Sequence, residues 1–161
     1  AEGLPRPFCM VLWPFLLADT PTPPRGHLLK VQGLEKYPNL GVIEECTGSK
    51  CPGSVEVTDN GRTLRITGNS RVYLVEDASG NIEWQDLKYV RLPLLGSSLA
   101  FSADISGIKC NCNAAMYLVA LPEPQNDNSC YCDITYGMCG SPCVELDLLE
   151  SNVEVIQTTV H

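Results

Sequence analysis

The chain has 161 residues and a net charge of −8, from 19 acidic against 11 basic side chains. That length is enough for one domain with a real core. The negative balance excludes a protein that tracks nucleic-acid phosphates and one that docks on an anionic membrane surface, leaving neutral carbohydrate, peptides and small molecules as partners. There are nine cysteines, at 9, 46, 51, 110, 112, 130, 132, 139 and 143. Such density points to disulfides and to an oxidising, extracellular compartment, hence a secreted protein. Zinc is the weaker alternative, because no Cys-x-x-Cys occurs and the two histidines, His27 and His161, lie far apart. No metal or other cofactor is expected. An odd count leaves at least one thiol free or paired outside the chain.

Residues 1–40 read as an irregular, proline-rich segment. Pro5, Pro7, Pro14, Pro21, Pro23 and Pro24 forbid a long helix near the start. The apolar run at 8–17, FCMVLWPFLL, is too short to span a bilayer. A first residue of alanine fits a processed chain. The remainder, 41–161, reads as one domain of short strands. Ser54–Thr58 and Thr63–Thr67 alternate around Asp59-Asn60-Gly61, a strong hairpin turn. Arg71–Val75 follows the Gly68-Asn69 turn, and Asp77–Gly80 turns again. Further strand is predicted within Ile82–Leu95 and at Ser98–Asp104. Ala115–Leu121 is continuous and apolar, as a central core strand should be; Cys143–Leu149 and Asn152–Thr158 complete the set. No segment keeps a 3.6-residue apolar period. The predicted fold is all-β, an antiparallel sandwich.

One strand carries chemistry. Glu145, Asp147 and Glu150 put three acids into six residues of an otherwise apolar run. Alternation places Glu145 and Asp147 on one face and Glu150 on the other. A one-residue bulge between Asp147 and Glu150 restores it to the acid face, with Leu146 and Leu148 turned toward a core between sheets. Two carboxylates over one sugar ring are what a retaining glycosidase needs. The plainer reading is a solvated edge strand with surface acids.

Cys143-Val-Glu-Leu-Asp-Leu-Leu-Glu-Ser-Asn152 resembles the catalytic block C-[AS]-E-[ML]-D-[IV]-W-E-A-N of glycoside hydrolase family 7, the cellulases. It is more distantly similar to the acid strand of the family 16 laminarinases and lichenases. Leu94–Ser106, Cys110–Val119, Tyr131-Cys132-Asp133, Gly68–Val75 and Thr159-Val160-His161 resemble further family 7 motifs in the same order, so the likeness runs from about Cys46 to His161. It implies a jelly-roll, concanavalin-like sandwich and an endo-acting β-1,4-glucanase working by double displacement on β-glucan or cello-oligosaccharide. By the resemblance, Glu145 is the nucleophile, Glu150 the acid/base and Asp147 the supporting acid. Asn113, Tyr117, Tyr131, Asp133 and His161 match cleft positions, and Trp84 is a candidate sugar platform. Each has a structural alternative: a turn for Asn113, core packing for Tyr117, a disulfide-pinned loop for Tyr131 and Asp133, a sheet surface for Trp84, a frayed end for His161. Leu149 stands where the family has tryptophan, and the chain is far shorter than a family 7 catalytic domain. The resemblance therefore implies a shortened or fragmentary relative, whose sandwich a second copy or another chain would complete. It equally admits a weak or inactive binding module for a glycan or a protein.

Overall fold

A computed structural model describes residues 24–45, 53–126 and 128–161. Cys9, Cys46, Cys51 and the prolines before Pro24 lie outside the described residues. The described chain is all-β and antiparallel, with eight strands in three sheets. Strands β1 (Arg25–Leu28), β2 (Gly41–Glu45) and β5 (Arg71–Val75) form the first sheet, in the order β1-β2-β5. Strands β3 (Ser54–Thr58) and β4 (Thr63–Thr67) form a hairpin. Strands β6 (Ala114–Val119), β7 (Glu145–Ser151) and β8 (Ile156–Val160) form the third sheet, with β7 central.

The hairpin forms where the turn chemistry demands it. Asp59, Asn60 and Gly61 all hold positive φ, at 51°, 54° and 93°, a region that Asn, Asp and Gly tolerate. Its ends are tied by the Ser54 and Thr67 hydroxyls, 2.6 Å apart.

The core lies on one face of the first sheet. Ile43, Tyr73 and Val75 share that face, and the loop after β5 folds across it with Ala78, Ile82, Trp84, Leu87 and Tyr89. The approach is close: a Cβ at Gly26 would collide with the Ala78 carbonyl oxygen. Trp84 is 5% exposed and meets Tyr73 edge-on at 6.2 Å. This corrects its assignment as a sugar platform. Its apolar surface is spent on the core, because the short 3-10 turn Trp84–Asp86 tips the indole inward while its polar neighbours stay outside. Trp84→Ala is expected to cost about 3–5 kcal/mol, the usual range for a large aromatic removed from a core. A urea melt checks this, with the midpoint shifted and the slope unchanged.

Other expectations also change. Arg25–Leu28 pairs with β2 in full register, so the sheet begins before residue 41. Residues 82–95 hold the 3-10 turn and one isolated bridge, Val75 to Tyr89, rather than a strand. Residues 98–104 are largely exposed and unpaired, and Asp104 closes a turn by accepting from the Ser106 N–H and hydroxyl at 3.0 and 2.7 Å. Alternation builds a strand only where a partner edge is met, and residues 98–104 pair with no strand among the described residues. For the same reason β6 lies at the edge of its sheet rather than the centre.

The third sheet has two contrasting faces. In-register partners share a face, so Tyr117, Asp147 and Thr159 stand together, and Leu118, Leu146 and Val160 stand opposite. Leu146 and Leu148 are only half-buried. Ile156 and Val160 on the apolar side are 64% and 75% exposed. The inter-sheet core expected under the acidic strand is thus not built by the described residues; the main core sits on the first sheet.

Candidate active site

The acidic strand is held by a bulge. Asp147 pairs with Tyr117 on β6 and Thr159 on β8, whereas Glu150 pairs with Ala115 and Gln157. Two residues of β7, Leu148 and Leu149, therefore span one step of the neighbouring strand. Were these residues in plain alternation with no bulge, parity would send Glu150 to the apolar side. With it, Glu145, Asp147 and Glu150 line one face with Tyr117 and Thr159, the arrangement the spacing predicted. The face is polar and largely covered: Glu145 and Asp147 are 8% and 3% exposed.

A chain of hydrogen bonds orders the first two acids. The Tyr131 hydroxyl donates to Glu145 Oε2 at 3.2 Å. Burial, then the nearby Glu145 charge, pushes the Tyr131 hydroxyl well up, so it stays protonated and stays a donor. Asp147 stands beside Glu145 on this face, and its Oδ2 lies 3.0 Å from His161 Nε2. Burial is the main cause that raises Glu145 above the ordinary carboxylate value of 4.5; the Tyr131 hydrogen bond opposes it, and the Asp147 charge and hydrogen bond reinforce it. His161 is stapled in place by its backbone, which exchanges hydrogen bonds with Glu145 at 2.9 and 3.3 Å.

The third acid sits apart from this chain and is held from two sides. Asn113 Nδ2 donates to Glu150 Oε1 at 3.2 Å, and Gln157 Nε2 donates to Oε2 at 3.0 Å. Asn113 also accepts from the Ser151 N–H at 2.9 Å, so it is more than a turn residue.

Tyr117 packs edge-on against Tyr131 at 6.4 Å between ring centroids. Arg71 lies 4.0 Å over the Tyr131 ring, a cation–π contact. Two disulfides, Cys130–Cys139 and Cys132–Cys143, bracket Tyr131 and join its loop to the residue two before Glu145. Asp133 is a turn residue: its Oδ1 accepts from the Thr135 N–H and hydroxyl and from the Tyr136 N–H at 2.6, 2.8 and 2.8 Å. The Thr135 bonds are the main cause that lowers it, and its charge still reaches His161. These bonds occupy Oδ1 within the loop.

Sequence reasoning missed Gln157, Arg71, Glu45 and Ser129. Ser129 Oγ donates to Glu45 Oε1 at 2.6 Å, Tyr73 donates to Glu45 Oε2 at 2.7 Å, and Arg71 lies 3.6 Å from the same Oε2. This buried polar cluster ties the first sheet to the loop that carries Tyr131. Gln157 had a legible signal. Asn152 closes a tight turn by accepting from the Glu154 and Val155 N–H groups at 2.8 and 3.1 Å; that turn sets Ser151 opposite Ile156 and hence Glu150 opposite Gln157. Reading 152–158 as strand hid it.

The arrangement supplies a buried carboxyl pair with an obligate donor, and on the same face a separate carboxylate flanked by neutral amides. Among the described residues no group of acids, histidines and cysteines is placed to hold a metal ion. The chain matches no protein-family model, no curated protein and no solved structure.

Proposed function

We propose that this protein is a retaining endo-β-1,4-glucanase, a shortened relative of the family 7 cellulases. The observation that carries this reading is the bulge in β7, which sets Glu145, Asp147 and Glu150 on one polar face. In the first step a Glu145 oxygen attacks the anomeric carbon as the glycosidic C–O bond breaks, and Glu150 gives its proton to the leaving oxygen. In the second, water attacks the same carbon, its proton goes to Glu150, and the Glu145–sugar bond breaks. Asp147, on the same face as Glu145 and 3.0 Å from His161 Nε2, is the supporting acid. The Tyr131 hydroxyl steadies the Glu145 carboxylate, and Tyr117 and Tyr131 offer the aromatic surface for a glucosyl ring. The two disulfides fit a secreted enzyme in an oxidising medium. Among the described residues no helix is long and apolar enough to cross a membrane.

One observation favours a second reading, a glycan-binding module without turnover. Glu145 and Asp147 are 8% and 3% exposed, which restricts the approach of an anomeric carbon to the pair. Release of reducing ends from soluble mixed-linkage β-glucan, lost in Glu145→Gln, supports the enzyme. Saturable oligosaccharide binding with no release from the wild type supports the module.

A further inference from the structure

We propose that Gln157 is the positioning residue that follows the proton on Glu150, its side-chain amide donating to the carboxylate and, turned over, accepting from the carboxylic acid. The inference rests on the glucanase reading, in which Glu150 must be an acid in one step and a base in the next. The argument starts at Asn113. The Ser151 backbone N–H can only donate, and it donates to Asn113 Oδ1 at 2.9 Å. That fixes the Asn113 amide, so Nδ2 is the atom facing Glu150 Oε1 at 3.2 Å. Two donors cannot share one hydrogen bond, so a proton on Oε1 pointing at Asn113 is excluded. The proton belongs on Oε2, which faces Gln157 at 3.0 Å.

Gln157 is suited to that task. It is exposed on β8 and directly opposite Glu150. No described donor fixes its Oε1, and the terminal torsion of a glutamine is broad and nearly two-fold. One turn exchanges Nε2 for Oε1 in front of Glu150 and matches either protonation state. On the other side of β7 the partner of Glu150 is Ala115, which has no polar group to offer instead. The bulge serves this pairing too, since it is what sets Glu150 rather than Leu149 against Gln157.

The test compares wild type with Gln157→Met, a substitution of similar length at an exposed position. The substrates are cellopentaose, whose leaving sugar needs a proton, and a dinitrophenyl cellobioside, whose leaving group does not. General acid assistance is worth about 10²–10⁴-fold. The expected result is that kcat/KM for cellopentaose falls about tenfold, a part of that assistance, while the value for the dinitrophenyl substrate stays within about twofold. A loss of structure alone lowers both together. Equal losses on the two substrates, or no loss on either, overturn the role of Gln157 while leaving the glucanase reading intact. A wild type that turns over neither substrate overturns both.

Discussion

Glu145→Gln is expected to lower turnover of β-glucan at least about a thousandfold, within the range for removal of a group that takes part in bond making. It is also expected to raise stability at neutral pH. Burial first, and then Asp147, raises Glu145 above its ordinary carboxylate value of 4.5. The folded state therefore binds that proton more tightly than the unfolded chain does. The favourable contribution is complete at pH below 4.5 and is lost as pH rises through the folded value. A neutral amide does not suffer that loss. The melting temperature of Glu145→Gln should thus exceed wild type near pH 7 and converge with it near pH 4. Scanning calorimetry across that range, alongside the assay, checks both halves. A variant that is inactive and less stable at all pH values points to general damage. The same logic puts the acid limb of the wild-type pH–rate profile above the ordinary carboxylate range, because the nucleophile must be ionised. The Tyr131 hydrogen bond works against that rise and the charges of Asp147 and Asp133 add to it.

Insertion of one alanine between Leu148 and Leu149 is expected to be as damaging to turnover as loss of Glu150 itself, whereas Leu148→Ala is expected to retain most of it. The extra residue of the bulge does its work through the backbone. A second extra residue exceeds what a one-residue bulge absorbs, which turns Glu150 toward the side of Ile156 and Val160 and breaks its contacts to Asn113 and Gln157. The side chain of Leu148 is only half-buried, so truncating it costs less than a fully buried leucine would. Backbone NMR of the insertion variant should show Glu145 and Asp147 still paired with Val119 and Tyr117, and Glu150 no longer opposite Gln157. Full activity in the insertion variant would contradict the bulge argument.

Much of the site was legible because β-strand parity is strict. Glu145 and Asp147 are two apart, Glu150 is three further on, and only a bulge reconciles the three. The hairpin at Asp59–Gly61 was legible because its residues tolerate positive φ. The strands predicted at 82–95 and 98–104 were not found, because a pattern names a face and not a partner. The first is consumed as the lid of the core, and the second meets no free edge among the described residues. Trp84 sits among polar neighbours, so its burial depended on the path of the loop rather than on local composition. Arg71 was hidden for a similar reason: alternation puts it on the face of Tyr73, and only the tertiary fold brings Tyr131 and Glu45 to meet it.

The most direct measurement is the anomeric configuration of the first product, followed by proton NMR as the enzyme acts on a soluble mixed-linkage β-glucan. A carboxyl pair acting by double displacement releases the β-anomer first, with the α-anomer growing in only by mutarotation; that is the expected result. Initial release of the α-anomer would show direct displacement by water and contradict the role given to Glu145.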